Sequence, residues 1–283
     1  MLSPTLNSYI SYLCLFLSLS NLSYIKSQLD YSEPKSQWKT PCGDGKRQSP
    51  IDFPLNYTNY DNQPFVKFIS VNYGFNSTGT INGTFEIKDK NIYKITPNGT
   101  EWGYVIFQKD SIDYKYDLKE INFHISSEHK FNGLAGDIEM QLIHVKNNDW
   151  LISKNISSSD IENPNLAIGV LIKVASLKDN ENFANLNIKT KGPIANYNIQ
   201  AFPPFGKPFL FYLGSSTTPN CEENTNWVIV HTMEKISKDQ YDGFRSWLDT
   251  SYPGVMNNRK TQKINDRKLY YQFYPEQVVR PIK

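Results

Sequence analysis

Two short stretches of the chain alternate apolar and polar residues so strictly that they leave little choice of local structure. In Glu120 to Ile125, apolar Ile121, Phe123 and Ile125 alternate with Glu120, Asn122 and His124; in Asp137 to Leu142, Ile138, Met140 and Leu142 oppose Glu139 and Gln141. A period of two belongs to a β-strand, so apolar residues take one face and polar residues the other. Asn122 and His124 therefore share a face. Between the two stretches Asn132-Gly133 is a turn signal, and the strands are read as antiparallel neighbours. Paired in that way, Gln141 converges with Asn122 and His124.

The same reading extends along the chain. Ile168 to Ala175, Phe209 to Leu213 and Trp227 to Met233 read as strands, while Lys238 to Leu248 has helical spacing. Runs of Val, Ile, Thr, Tyr and Phe broken by Asn, Asp, Gly and Pro make the composition strand-rich, so a mostly β fold is expected. A chain of 283 residues with no repeat and no sharp shift in composition suits one large core. The near-balanced charge of +2, without a basic block, argues against nucleic acid as a partner.

An apolar run over Tyr9 to Leu19 is too short to span a bilayer comfortably and reads as the core of a signal peptide, taken as residues 1–27 with the mature domain at 28–283. No hydrophobic tail stands at the C-terminus, so no transmembrane span is expected in the mature chain. Cys14 lies inside the leader, which leaves Cys42 and Cys221. An even pair in an exported protein suggests a disulfide. Sequons at Asn56, Asn76, Asn82, Asn98 and Asn155 agree with passage through a glycosylating compartment, so the protein is expected to be secreted, luminal or on the cell surface.

Four motifs in order give the chain a family likeness. Gly45 to Asp52, reading Gly-Lys-Arg-Gln-Ser-Pro-Ile-Asp behind Trp38, is followed by Phe123 to His129 with Asn132-Gly133, by Asp137 to Val145, and by Tyr212 to Cys221 with Trp227. Together they resemble the α-carbonic anhydrases over about Tyr31 to Tyr271. The resemblance implies a large central twisted, mainly antiparallel sheet with short peripheral helices and a cleft leading to zinc, and it pairs Cys42 with Cys221.

In active members of that family three histidines and a water hold the zinc. The resemblance places these ligands at Asn122, His124 and Gln141, so only His124 survives. Glu128 and Thr217 match the pair that orients the zinc-bound hydroxide, Glu120 and Glu139 match carboxylates behind the ligands, and the proton-shuttle histidine falls at Thr84. Pocket positions fall at Ile143, Ala167, Ser216 and Trp227, with Ser216 in place of an expected Leu. His129, His144 and His231 are read as satisfied structural histidines, and Glu128, Glu139 and Thr217 as groups that satisfy buried backbone and amide partners. No cofactor is expected, and a protein-binding or structural module is preferred. The alternative is a carbonic anhydrase with a weak or non-standard zinc site.

Overall fold

The computed structural model describes residues 31, 38, 41–56, 60–61, 66–74, 78–88, 92–97, 101–156, 163–188, 193–204, 206–251 and 256–272. The expected leader and the sequons at Asn76 and Asn98 lie outside them. The strands begin with β1 (Asp52–Phe53), β2 (Tyr60–Asp61), β3 (Val66–Tyr73), β4 (Thr80–Lys88), β5 (Ile92–Pro97) and β6 (Gly103–Lys109). There follow β7 (Ile112–His124), β8 (Lys130–Phe131), β9 (Leu134–Ala135), β10 (Ile138–Lys146) and β11 (Asn165–Ser176). The series ends with β12 (Ile194–Asn198), β13 (Phe209–Gly214), β14 (Thr225–Val230), β15 (Glu234–Ser237) and β16 (Leu269–Gln272). Helices are short, α1 (Asn148–Ser153) and α2 (Lys238–Ser251), the second covering the segment with helical spacing.

Thirteen strands form one sheet whose main path runs β12-β4-β5-β7-β10-β11-β14-β13-β16-β2. β6 joins the first half of β7 and β3 joins β6, while β15 joins β11. Antiparallel pairings dominate, and parallel ones occur at β11–β14, β11–β15 and β16–β2. The two alternating stretches are β7 and β10, antiparallel neighbours at the centre of the sheet. Asn132 and Gly133 do form a turn, both with positive φ (49° and 80°), but it closes the small β8–β9 hairpin of a separate three-stranded sheet with β1.

Alternation sorts the two faces. Ile121, Phe123, Met140, Leu142, Ile168 and Val170 enter one large apolar core, and Ala167, Leu171, Trp227 and Ile229 enter a smaller one on the other side. The polar positions of β7 and β10 share that second side, yet Asn122, His124, Glu139 and Gln141 are buried as well. A polar face buried this deeply must satisfy itself internally.

The Gln48-Ser49-Pro50-Ile51 motif fastens the loop after β13. Ser49 N donates to Ser215 Oγ at 2.9 Å, while Ser49 Oγ accepts from Ser215 N at 3.0 Å and from Tyr212 OH at 2.8 Å. Gln48 Nε2 donates to Cys221 O at 3.1 Å. A Cβ on Gly214 would stand 2.2 Å from Ser49 Oγ, so only glycine admits the strap at this distance. Cys42 and Cys221 are joined by a disulfide and pack with Trp38 and Tyr31 in a small cluster.

Below the sheet, His144 of β10 sits within 2.6 Å of Tyr73 OH and 3.2 Å of Leu166 O. Burial brings its pKa down to about 4, against which the backbone partners at Leu166 and Leu142 act weakly.

Two outcomes follow from this packing. The disulfide closes a span of 179 residues, so replacing both Cys42 and Cys221 with serine should lower stability by up to about 5 kcal/mol on the chain-entropy account, measured by reversible denaturation. For His144, the unfolded chain binds a proton at a higher pH than the folded one. Stability is then full above pH 6.5 and falls as pH drops toward 4, by roughly 3 kcal/mol in all. In His144→Gln the slope of stability against pH across that window should flatten, which denaturant titrations at several pH values measure directly.

Candidate functional site

Register builds the site. Gln141 pairs with Asn122 and Glu139 with His124 across β10 and β7, and Lys94 of β5 pairs with Asn122 from the other side. Ile143 pairs with Glu120 and with Ala167, and Ala167 pairs with Trp227. Directly opposed residues point to the same side of a sheet. One row therefore reads Lys94, Asn122, Gln141, and the next reads Glu120, Ile143, Ala167, Trp227. A cavity of about 140 Å³ opens over both rows, closed by Asn165, Ser216, Thr217, Thr218 and Thr225.

The positions assigned from sequence meet here, with one exception. Asn122, Gln141, Glu120, Ile143, Ala167, Ser216, Thr217 and Trp227 line the cavity, and His124 lies next to Asn122 on the same strand face, 0% exposed. Thr84 does not reach it. It pairs with Thr96 of β5, and β5 intervenes between β4 and β7, which sets Thr84 about 10 Å from β7 at the usual strand spacing. The residue facing Asn122 from that side is Lys94.

Hydrogen bonds fix the floor of the site. Glu139 accepts from Glu128 N (2.9 Å), His129 N (2.8 Å), His129 Nδ1 (2.8 Å) and Gln141 Nε2 (3.0 Å). Burial by itself would raise the Glu139 carboxyl, but the His129 ring and backbone amide, with His124 nearby, hold it below the ordinary carboxylate value. Glu128 accepts from Arg259 N at 2.8 Å and from Gln141 Nε2 at 2.9 Å. The Gln141 amide thus lies between two buried carboxylates. A Cβ on Gly169, the residue paired with Gln141, would meet Ile229 Cδ1 at 2.6 Å and Glu139 Oε1 at 3.2 Å, so glycine there leaves room for the network.

His124 Nδ1 donates to Asn257 O at 2.6 Å, and the Asn257 side chain binds Ile125 N and Phe123 O. Asn122 Nδ2 donates to Glu120 Oε1 at 3.1 Å, and Lys94 Nζ is paired with Glu120 Oε2. The Thr217 hydroxyl makes no hydrogen bond with Glu128 in this structure; the carboxylate accepts from Arg259 N and Gln141 Nε2, and His124 Nδ1 stands 3.4 Å from it. Of the other histidines, His129 lies between Glu139 and Tyr212 OH, and His231 packs against Phe131 and Tyr271. Among the described residues no group of three or more His, Cys, Asp or Glu side chains stands together as metal ligands.

Lys94, Asn257 and Arg259 were not found from the sequence. Arg259 is buried, with its guanidinium donating to Ser49 O, Cys42 O and Gln48 Oε1. Burial brings it down to about 10, with Glu128 and Tyr212 acting in the opposite direction. Asn257-Asn258-Arg259-Lys260 reads as an ordinary polar loop, and only the fold reveals that it closes the floor of the site.

The profile of the eukaryotic-type carbonic anhydrases matches residues 33–273. Carbonic anhydrase 6 of Bos taurus is 28% identical over 271 residues, covering 89% of this chain and 80% of its own. Carbonic anhydrase 1 of Mus musculus is 26% identical over 263 residues, covering 84% of this chain and 94% of its own. A halotolerant carbonic anhydrase from Dunaliella salina superposes with a TM-score of 0.65 at 19% identity, over 87% of this chain and 98% of that one. Dioscorin complexed with ascorbate gives 0.64 at 19% identity, over 87% and 93%. At such identities the superpositions speak for the fold.

Gln141→Leu should destabilise the protein by about 2–4 kcal/mol, because Glu128 and Glu139, both buried, each lose a hydrogen bond to the carboxylate. Asn122→Leu should cost less, since Glu120 keeps Lys94. Equal losses in a paired denaturation experiment would show that Gln141 does not bridge the carboxylates.

Proposed function

The chain belongs to the eukaryotic-type carbonic anhydrase family, and from that premise we propose that it is an exported member that does not hydrate carbon dioxide and acts by binding another protein. The observation that carries this reading is the donor set. At the three positions implied as zinc ligands, the chain offers one imidazole nitrogen and two neutral carboxamide oxygens, where catalytic zinc is held by imidazole, thiolate or carboxylate. These residues do not fit the metal. Gln141 is further committed through its amide to Glu128 and Glu139.

Other features support the same reading. Glu128 is turned to Arg259 and Gln141 rather than to Thr217. The expected relay position is held by Thr84, whose hydroxyl does not titrate near neutral pH. The Cys42–Cys221 disulfide suits an oxidising compartment, and the sequon residues Asn56, Asn82 and Asn155 are exposed. No described helix is long and apolar enough to cross a membrane. A binding role is favoured because the fold remains intact around a site without hydratase chemistry.

Elemental analysis of the natively purified protein, together with stopped-flow hydration of carbon dioxide, tests the proposal. Substoichiometric zinc and background hydration are expected, and Asn122→His with Gln141→His should restore zinc binding because the register already brings both positions beside His124. Stoichiometric zinc in the unaltered protein, with hydration abolished by Thr217→Ala, would overturn it.

A further inference from the structure

Two amide side chains, Asn122 and Gln141, line the cavity, and His124 lies behind them on the same strand face. His124 gives its Nδ1 proton to Asn257 O, so in the neutral ring Nε2 carries a lone pair, and that buried atom has no partner among the described residues. Asn122 spends amide N–H on Glu120, and its buried Oδ1 is likewise without a partner there. Gln141 spends its amide N–H groups on Glu128 and Glu139, and no described group donates to its Oε1. Asn122 Oδ1 and His124 Nε2 are buried, so bulk water does not solvate those two atoms, while Gln141 Oε1 belongs to a side chain that lines the cavity. Buried acceptors in that state call for a donor.

The charge around them has the same sense. Glu128 and Glu139 lie buried behind the acceptors and Glu120 stands at the rim. Lys94 is taken up by Glu120, and the Arg259 guanidinium points away to Ser49, Cys42 and Gln48. An anion entering here meets lone pairs and carboxylates. Above the acceptors the wall turns apolar, with Ile143, Ala167 and Trp227 facing the same cavity. A complementary ligand has a cationic head with several N–H donors on a short apolar stem.

We propose that the cavity binds a primary alkylammonium group, whose three N–H donors meet Asn122 Oδ1, Gln141 Oε1 and His124 Nε2 while its stem lies along Ile143, Ala167 and Trp227. The site rests on the reading that zinc is not held, because a zinc ion would take the His124 lone pair. A free amine and the lysine side chain of a protein partner carry the same chemistry.

Calorimetric titration of the full chain, treated with chelator, with n-butylammonium chloride tests the site. Saturable one-to-one binding is expected, absent with tetramethylammonium, which has the charge without N–H donors. Asn122→Leu should weaken it by about tenfold or more, the loss of one charged hydrogen bond, with near-UV circular dichroism confirming the fold. A lysine peptide that binds, when its acetyl-lysine form does not, assigns the site to a protein side chain; binding of the amine alone assigns it to free amines. No saturable binding to zinc-free protein, as when water alone satisfies the acceptors, overturns the site. Equal binding of tetramethylammonium overturns it too, even if the Asn122 variant does not fold. Zinc retained through the chelator, read separately by elemental analysis, overturns the reading beneath it instead.

Discussion

A carboxylate removed from water has to be met on its lone pairs, and most of the site's geometry follows from how Glu139 is met. Its four donors come from Glu128 N, both the backbone and the ring of His129, and Gln141. Those bonds dock the segment after β7 onto β10. They also orient His129, whose other ring nitrogen lies 2.6 Å from Tyr212 OH, and Tyr212 in turn donates to Ser49, which holds Ser215. The loop carrying Ser216 and Thr217 is thus positioned from the centre of the sheet. Moving Glu139 would displace a wall of the cavity that it does not touch.

Seen from this network, the sequence is legible wherever structure is set by local alternation. Ile121, Phe123, Met140 and Leu142 announce two strands and their shared apolar face, and the opposite parity already puts Asn122, His124 and Gln141 together. What alternation does not announce is that the polar face is buried. That burial depends on Arg259 and Asn257, which arrive from more than 130 positions along the chain, and on the strap at Ser49. Such partners leave no periodic trace. Lys94 escapes for a related reason, since its importance comes from pairing with Asn122 across β5 and β7, and no local pattern names that partner. Asn132-Gly133 was legible as a turn, but which strands it joins was not, because the β8–β9 hairpin is only two residues long on each side.

The replacements at the implied ligand positions are not neutral deletions. A carboxamide has two N–H donors on one nitrogen, and at Gln141 both are directed to carboxylates that would otherwise face each other across a dry site. An apolar residue of similar volume would leave that repulsion standing. At Asn122 the amide feeds Glu120, which Lys94 also neutralises. Each side chain therefore points its donors toward the carboxylates behind it and its oxygen toward the cavity.

That polarity reverses the character of the cleft. A bound metal in such a place acts as a concentrated positive charge and draws in anions and lone pairs. On the reading proposed for this chain, the positive charge is supplied from within, by Lys94, the side-chain amides of Asn122 and Gln141 and the backbone N–H of Arg259, all aimed at Glu120, Glu128 and Glu139, and it is spent on those carboxylates. What remains exposed to the cavity is the negative end of each dipole. On that reading, a fold that elsewhere organises a cation to act on an electron-rich partner is left with lone pairs that call for a donor, and a partner is selected by the protons it brings and not by the electrons it offers.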